Sequence, residues 1–376
     1  MKILFDLTYI NPLSVSGVSI YIFRLLNGFT QLNYSFEIIL LVTAENKKII
    51  EKQCNSFSTL VIPIKKGKLF NQLHVLKGYL HLSSINRIIK DENINLLFSP
   101  YLHMGSLFTN LIPQVGVMHD AQSYIFFKDS GLKGSVYNSL YIKLLKRMKK
   151  IVTISNFAKS SILEEIPLPN VSISVIYNSV VKTELDEDIK FSNYSPYILF
   201  VNTLMPYKNL ETLVKAFALI KDKISHKLIV KAKRLPYWDN VIIPILKNNS
   251  ILDRVLLVED NYNDEKMAAL YNEADLFVTP SKMEGFGFTP IEAAMYKTPV
   301  VSSKESALYE TTMGLLNYYE PVDDFNNLAK KILEVIRKNY DKESLKKVSN
   351  TYEDVYSSTK QAESFLKLFE EIMRKQ

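Results

Sequence analysis

Residues 276–301 read LFVTPSKMEGFGFTPIEAAMYKTPVV. An apolar run, Leu276–Thr279, is stopped by Pro280-Ser281. A loop carrying Gly285 and Gly287 follows, then a helical pattern over 290–296 and a second apolar run, Pro299–Ser302. Strand, glycine loop, helix and strand in that order form a βαβ unit, and a βαβ unit implies a parallel sheet. The loop stands out because the chain is poor in glycine. It has 11 in 376 residues, against roughly 26 at average usage. Two of them flank Phe286 here, bracketed by Glu284 and Glu292.

Thr289-Pro290-Ile291-Glu292 fits the S/T-x-x-E capping box with proline at the first helical position. It predicts a helix that starts at Pro290, capped by Thr289. Glycines ahead of a helix start let a ligand approach the backbone, and the N–H groups there favour an anion such as a pyrophosphate. Glu292 has two readings, as part of its own helix cap and as a ligand contact. Glu284 has no capping role. A carboxylate at the mouth of such a loop suits sugar hydroxyls as an acceptor.

The same alternation extends outward in both directions. Apolar runs at Ile3–Phe5, Glu37–Val42, Leu60–Ile62, Leu96–Phe98, Gln114–Met118 and Ile151–Ile154 alternate with helical patterns near 18–31, 73–90, 134–149 and 156–165. Residues 178–196 are polar and acidic and read as a linker. The pattern then restarts, with strands at Tyr197–Val201, Lys227–Val230, Arg254–Val258, Leu276–Thr279 and Pro299–Ser302. Helices are expected near 209–221, 239–248, 264–273, 290–296, 323–338 and 351–374. The predicted class is α/β: two Rossmann-like, doubly wound parallel-sheet domains facing across a cleft. Their expected extents are 1–183 and 184–356, with a last helix in 357–376 crossing back onto the first. Ligands of such sheets bind beyond the carboxyl ends of the strands.

Composition narrows the function. The single cysteine, Cys54, supports neither a disulfide framework nor a thiolate metal site and reads as a packing residue. Asp6 interrupts the N-terminal apolar run too early for a signal-peptide core. No stretch nears 18 consecutive apolar residues. These features predict a cytoplasmic protein. The net charge of +7 is uneven. Residues 1–183 hold 20 Lys+Arg against 10 Asp+Glu, and residues 184–376 hold 26 against 29. A basic first half suggests an anionic surface or substrate, or a solvated basic face with no partner. The stretches 65–90 and 134–150 mix Lys and Arg with Leu, Ile, Tyr and Phe. This suits peripheral contact with anionic lipid headgroups on the inner membrane face. For 134–150 a core-facing helix with a basic last turn is the other reading. No nucleic-acid recognition motif is evident. Asp186-Glu187-Asp188 falls in the linker and not after a strand, so no metal site is expected.

At this point the chain resembles a known family. Glu284 to Glu292 is the E-x7-E signature of retaining glycosyltransferases with the GT-B fold. With Pro280-Ser281 before it and Thr298-Pro299-Val300-Val301 after it, the stretch is similar to glycosyltransferase family 4, as found in bacterial polysaccharide, O-antigen and lipopolysaccharide biosynthesis. Further landmarks fall in order. Ser16-Gly17-Val18-Ser19-Ile20-Tyr21 resembles the glycine loop after the first strand. His119-Asp120 resembles the family's "HD" pair, and Ile151 to Ala158 its "vitvSefs" step, where Ser155 reads equally as a helix cap. Ile176-Tyr177-Asn178-Ser179-Val180 resembles "vvpNGvd", with Ser179 where glycine is usual. Phe200 to Leu210 resembles "yvGtlepRKNl", Leu256 to Tyr262 the base-pocket strand, and Asp264 to Ala274 "deeLaaLYraAd". The resemblance covers nearly the whole chain.

What it implies is transfer of a hexose, with retention, from a nucleotide-sugar donor to a hydroxyl of a lipid-linked or growing surface glycan. GDP-mannose is the first donor to consider. The implied catalytic residues are His119, Glu284 and Lys208, with Asp120 orienting the imidazole. The implied donor contacts are Gly17, Asn202, Lys208, Glu284, Glu292 and the backbone of Phe286, Gly287, Phe288 and Thr289. No metal or other cofactor is implied. Asn202 stands where glycine is usual, and Tyr207 where an arginine normally adds a second positive charge for the pyrophosphate. One of Lys231, Lys233 and Arg234 is expected to replace that arginine, unless they form a plain basic turn. The same departures motivate a rival reading, a non-catalytic nucleotide-sugar-binding subunit of a glycan-assembly complex.

Overall fold

The computed structural model describes residues 1–12, 17–64, 77–121, 124, 125, 128, 131–168, 171–338 and 340–374. The chain divides into two units, Met1–Ser179 with Ser358–Gln376, and Val180–Ser357.

The first unit contains strands β1 (Lys2–Asp6), β2 (Glu37–Val42), β3 (Ser58–Val61), β4 (Leu96–Ser99), β5 (Gln114–Val117), β6 (Lys150–Thr153) and β7 (Ile173–Val175). They form one parallel sheet in the order β3-β2-β1-β4-β5-β6-β7. Helices α1 (Gly17–Thr30), α2 (Lys47–Gln53), α3 (Lys77–Leu80), α4 (Leu82–Asp91), α5 (Gly131–Leu145) and α6 (Asn156–Glu165) alternate with them. The second unit repeats the plan. Strands β8 (Tyr197–Val201), β9 (Lys227–Lys231), β10 (Val255–Val258), β11 (Leu276–Thr279), β12 (Val300–Ser303) and β13 (Asn317–Tyr319) pair in parallel as β10-β9-β8-β11-β12-β13. Its helices are α7 (Leu210–Ile220), α8 (Ile243–Asn248), α9 (Asp264–Asn272), α10 (Phe288–Met295), α11 (Leu308–Thr311), α12 (Phe325–Arg337) and α13 (Lys342–Val355). The expected α/β class, with two Rossmann-like parallel sheets, is the observed one.

The strands are legible as near-continuous apolar runs because helices cover both faces of a parallel sheet. Every residue of β4, β5, β11 and β12 is buried. Helix α1 presents Tyr21, Ile22, Leu25, Leu26 and Phe29 inward, the spacing of one helical face. A last helix, α14 (Ser358–Arg374), closes the first unit and packs on α1. Its Phe365 and Phe369 meet Phe98 of β4 at ring-centre distances of 5.1 and 5.0 Å. Cys54 is buried, and burial pushes its thiol up to about 12, which suits packing and not nucleophilic chemistry.

Several expectations change. The helix placed over 351–374 is two helices, α13 and α14. The chain turns at Tyr356, whose carbonyl accepts the Val180 N–H at 2.8 Å and whose hydroxyl bonds the Thr311 carbonyl. The described part of the 73–90 segment is likewise broken at His81, and residues 73–76 lie outside the described residues. So do residues 65–72 of the basic stretch. Strands β7 and β13 were not anticipated. Residues 181–196 are irregular and mostly exposed, yet pinned to the second unit. Thr183 exchanges hydrogen bonds with the Tyr296 hydroxyl, and Lys182 pairs with Glu353 at 2.7 Å. Helix α5 and the residues after it send Tyr141, Leu144, Leu145 and Met148 into the core and leave Lys143, Lys146, Arg147 and Lys149 exposed. Among the described residues no helix is long and apolar enough to cross a membrane.

The α1–α14 contact depends on Gly28. A Cβ there would lie 2.1 Å from the Ser358 carbonyl oxygen and 3.0 Å from the Ala362 methyl. Gly28→Ala is expected to cost about 1–3 kcal/mol, read as a lower urea midpoint. Gly17→Ala, where a Cβ would meet nothing within 4 Å among the described residues, should leave that midpoint in place.

Candidate functional site

In the second unit the strand order reverses between β8 and β11, which are neighbours although β9 and β10 intervene in the chain. Loops leaving such a pair diverge and open a crevice at the carboxyl ends. Asn202 follows β8, Lys208 ends a 3-10 turn (Pro206–Lys208), and Glu284 lies in the loop after β11. Lys208 Nζ sits 2.8 Å from Glu284 Oε1, with the side chains only 11% and 13% exposed. Asn202 Nδ2 donates to the same oxygen at 3.1 Å. Three of the sequence-predicted residues therefore converge on one carboxylate oxygen. Asn202, the residue that departs from the family's glycine, is one of the groups that hold the carboxylate.

The main chain around them is fixed from several sides. Asn209 adopts a left-handed conformation (φ 59°). Its Nδ2 donates to the carbonyls of Pro280 at 3.1 Å and Val322 at 3.0 Å, joining the start of α7 to the loop after β11. Lys282 N–H donates to the Tyr207 carbonyl at 2.8 Å. Glu284 N–H donates to Ser306 Oγ at 2.8 Å. Ser306 had no sequence signal. Asn209 did, in the Lys208-Asn209 pair, but its side chain works on the fold and not on a ligand.

The glycine loop differs from expectation at the helix start. Gly287 is the N-cap, at φ +88°, and α10 begins at Phe288. Thr289 lies inside the first turn, and no side chain caps the helix, so the expected capping box does not form. The left-handed backbone at Gly287 lets the chain enter the helix two residues early. A Cβ there would also come within 2.6 Å of the Leu308 side chain, so conformation and packing both demand glycine. The uncapped first turn presents the Phe288 and Thr289 amides. Phe286 is buried against Tyr356 and Phe288, and its carbonyl accepts from the Thr311 hydroxyl. Glu292 Oε2 accepts from the Tyr271 hydroxyl at 3.0 Å.

The cations around the missing arginine sort themselves. Tyr207 lays its ring 5.0 Å from the Lys208 ammonium. Lys231 Nζ is held by the Asp260 carbonyl at 2.6 Å and lies over the Tyr262 ring. Arg234 pairs with Asp239 and Glu259. Lys233 is exposed and, among the described residues, carries no such tie. The turn begins beside the site, since Asn202 N–H donates to the Lys231 carbonyl. Asp186-Glu187-Asp188 forms a local turn, Asp188 N–H donating to Asp186 Oδ1. Among the described residues no group of three or more His, Cys, Asp or Glu is placed to hold a metal ion.

Gly17 and His119 lie in the first unit, as does Ser155, whose Oγ caps α6 by accepting from the Ala158 amide at 3.0 Å. Gly17 opens α1; the adjoining Ser16 lies outside the described residues. His119 follows β5, with its ring edge-on to Tyr21 at 4.8 Å and near Tyr101 at 5.6 Å. Burial lowers its pKa to about 4, only partly opposed by a hydrogen bond to the Pro100 backbone. Its Nε2 is buried with no hydrogen-bond partner among the described residues.

The chain is similar to known proteins over both units. The profile of the glycosyl transferases group 1 matches residues 181–353, and that of glycosyltransferase family 4 matches residues 15–183. The O-antigen chain mannosyltransferase RfbU of Salmonella typhimurium is 30% identical over 247 residues, 65% of this chain and 66% of that protein. An uncharacterized glycosyltransferase of Methanocaldococcus jannaschii is 28% identical over 294 residues, 76% of this chain and 78% of that one. Sucrose-phosphate synthase from Thermosynechococcus elongatus shares the fold over the full length of both chains, with a TM-score of 0.75 at 15% identity. Anabaena HepE, solved in complex with UDP and glucose, aligns with a TM-score of 0.68 at 15% identity over 99% of this chain and 100% of that one.

His119 yields a pH prediction. Its folded pKa of about 4 lies below the free value of 6.5, so the unfolded chain takes up the proton first. Stability attributable to this group should be constant above about pH 6.5 and fall by roughly 3 kcal/mol as pH drops to about 4. An NMR titration should find the ring neutral down to pH 5, and a midpoint above 6 would contradict the burial argument.

Proposed function

Because this chain belongs to glycosyltransferase family 4, the group 1 glycosyltransferases, we propose that it transfers a hexose with retention from a nucleoside diphosphate donor, GDP-mannose first, to a hydroxyl of a lipid-linked or growing surface glycan. The observation that carries the reading is the convergence of Lys208 and Asn202 on Glu284 at the β8/β11 reversal. The mannose assignment rests on the Salmonella relative being an O-antigen chain mannosyltransferase.

In this reading the donor diphosphate takes Lys208 from Glu284, and the freed carboxylate accepts sugar hydroxyls. Negative charge developing on the leaving diphosphate is met by the Lys208 ammonium and by the Phe288 and Thr289 amides. Lys233 supplies the second positive charge, since its neighbours Lys231 and Arg234 are tied elsewhere. Glu292 holds the ribose while Tyr271 fixes its orientation. In the first unit, His119 is a neutral imidazole whose buried Nε2 has no hydrogen-bond partner among the described residues. No metal enters the scheme. The protein works on the cytoplasmic face of the inner membrane. What the segment 141–149 offers that surface is the charge of Lys143, Lys146, Arg147 and Lys149, because Tyr141, Leu144, Leu145 and Met148 face the core.

Glu284→Ala would strand a largely buried ammonium, a change that costs about 3–5 kcal/mol when a buried pair is broken. Glu284→Gln is the cleaner variant. It keeps an oxygen for Lys208 and Asn202, so it should lower transfer by roughly 10²-fold or more in a protein that stays folded and loses less melting temperature than Glu284→Ala. An active Glu284→Gln enzyme would remove the site assignment. Thermal shift against GDP, UDP and dTDP identifies the donor nucleotide, because only a bound one stabilises by mass action. Nucleotide binding without turnover of any donor sugar would favour the non-catalytic subunit. Lys233→Ala should raise the donor KM, and Lys233→Arg should restore it. Transfer should survive EDTA.

A further inference from the structure

Asn202 stands where glycine is usual in the family, and its side chain is tied at both ends. Thr203 N–H donates to Asn202 Oδ1 at 3.0 Å, and Asn202 Nδ2 donates to Glu284 Oε1 at 3.1 Å. Its own N–H donates to the Lys231 carbonyl at 3.3 Å. Only one orientation of the carboxamide serves both bonds, with oxygen toward the amide and nitrogen toward the carboxylate.

Glu284 is fixed along its main chain. Its N–H donates to Ser306 Oγ at 2.8 Å, and its carbonyl accepts from the Ala307 N–H at 3.3 Å. Ser306 has a left-handed backbone, φ 54°, which a residue with a Cβ adopts at a cost. That cost falls where the hydroxyl meets the Glu284 amide.

Lys208 is built differently. Its ammonium ends a flexible stem and carries three rotatable donors. It meets Glu284 Oε1 at 2.8 Å, the same oxygen that Asn202 holds. The carboxylate therefore has one donor on a long arm and one on a short, doubly tied arm. Among the described residues both bonds fall on Oε1 and none on Oε2. A carboxylate only 13% exposed needs a donor to stay charged. With Lys208 as its sole partner, drawing the ammonium toward a phosphate would leave it bare. A neutral amide removes that obstacle. It holds the negative charge without cancelling it, and a phosphate does not pull it away as it would a second cation.

We propose that Asn202 is a positioning residue that keeps Glu284 in place while Lys208 crosses from the carboxylate to the diphosphate. Glu284 is then the stationary member of the ion pair and Lys208 the moving one. The proposal rests on the reading above that a nucleoside diphosphate engages Lys208. Asn202 acts through Glu284 and not as a contact of the donor.

Calorimetric titration of the full chain with GDP, UDP and dTDP tests it. Glu284→Gln should bind the preferred nucleotide at least as tightly as the parent, because no ion pair has to open. Asn202→Ala should bind it about ten-fold more weakly, the effect of one hydrogen bond to a charged group. Its ligand-free melting temperature should stay near the parent's, since Lys208 still serves the carboxylate there. Asn202→Gly, with the family's residue, should repeat the loss. In the Glu284→Gln background Asn202→Ala should change affinity by less than about two-fold, because no charge is left to hold. A role confined to the Thr203 bond would weaken binding equally in both backgrounds. That result, or equal binding by Asn202→Ala and the parent, overturns the proposal while the donor assignment stands. Binding of none of the three nucleotides by the parent overturns both.

Discussion

A parallel sheet built by right-handed crossovers leaves one place where adjacent strands send their following loops to opposite sides, and that place is the reversal of strand order. In the second unit it falls between β8 and β11. Asn202, Lys208 and Asn209 come from the first of these strands, and Pro280 and Glu284 from the second. Their hydrogen bonds and ion pair cross the reversal. The ammonium and the carboxylate are nearly buried and satisfy each other, so the crevice is held in shape by the groups that a ligand would engage. Charge desolvation is tolerated because each ion has its partner within hydrogen-bond distance.

The scarcity of glycine makes its remaining uses informative, and they have different physical causes. Gly287 combines a left-handed backbone with a neighbour too close for any side chain. Gly28 and Gly116 are packing glycines; a Cβ on Gly116 would collide with Leu102 at 2.3 Å. Gly17 has neither reason, since among the described residues nothing lies within 4 Å of a Cβ there. That open space at the first turn of α1, among the described residues, sets it apart from the packing glycines.

Much of this was legible in the sequence, and the rest was hidden for identifiable reasons. Ile3–Phe5, Tyr197–Val201 and Leu276–Thr279 read as strands because burial on both faces makes them continuous apolar runs. Ile173–Val175 and Asn317–Tyr319 did not, being short end strands that are half-buried except at Tyr319 and, at Asn317, polar. The start of α10 was misplaced because the capping-box pattern at Thr289 is local, whereas the left-handed turn at Gly287 also answers to Leu308 across the fold. The turn at Tyr356 involves Val180 and Thr311, both remote in sequence. The carboxylates and Lys208 were visible through motif spacing. The tethering of Lys231 and Arg234 and the anchoring by Ser306 depend on which loops the topology brings together, and no local pattern encodes that.

Because α14 completes the first unit, the order of synthesis and the order of folding differ. The second unit, Val180–Ser357, is an insertion between two parts of the first. As the chain leaves the ribosome, Phe98 and Phe5 wait for Phe365 and Phe369, which are made more than 250 residues later. The inserted unit has all its strands and helices in one contiguous segment and can close on its own. The half of the molecule that begins first is therefore the one whose core is sealed last.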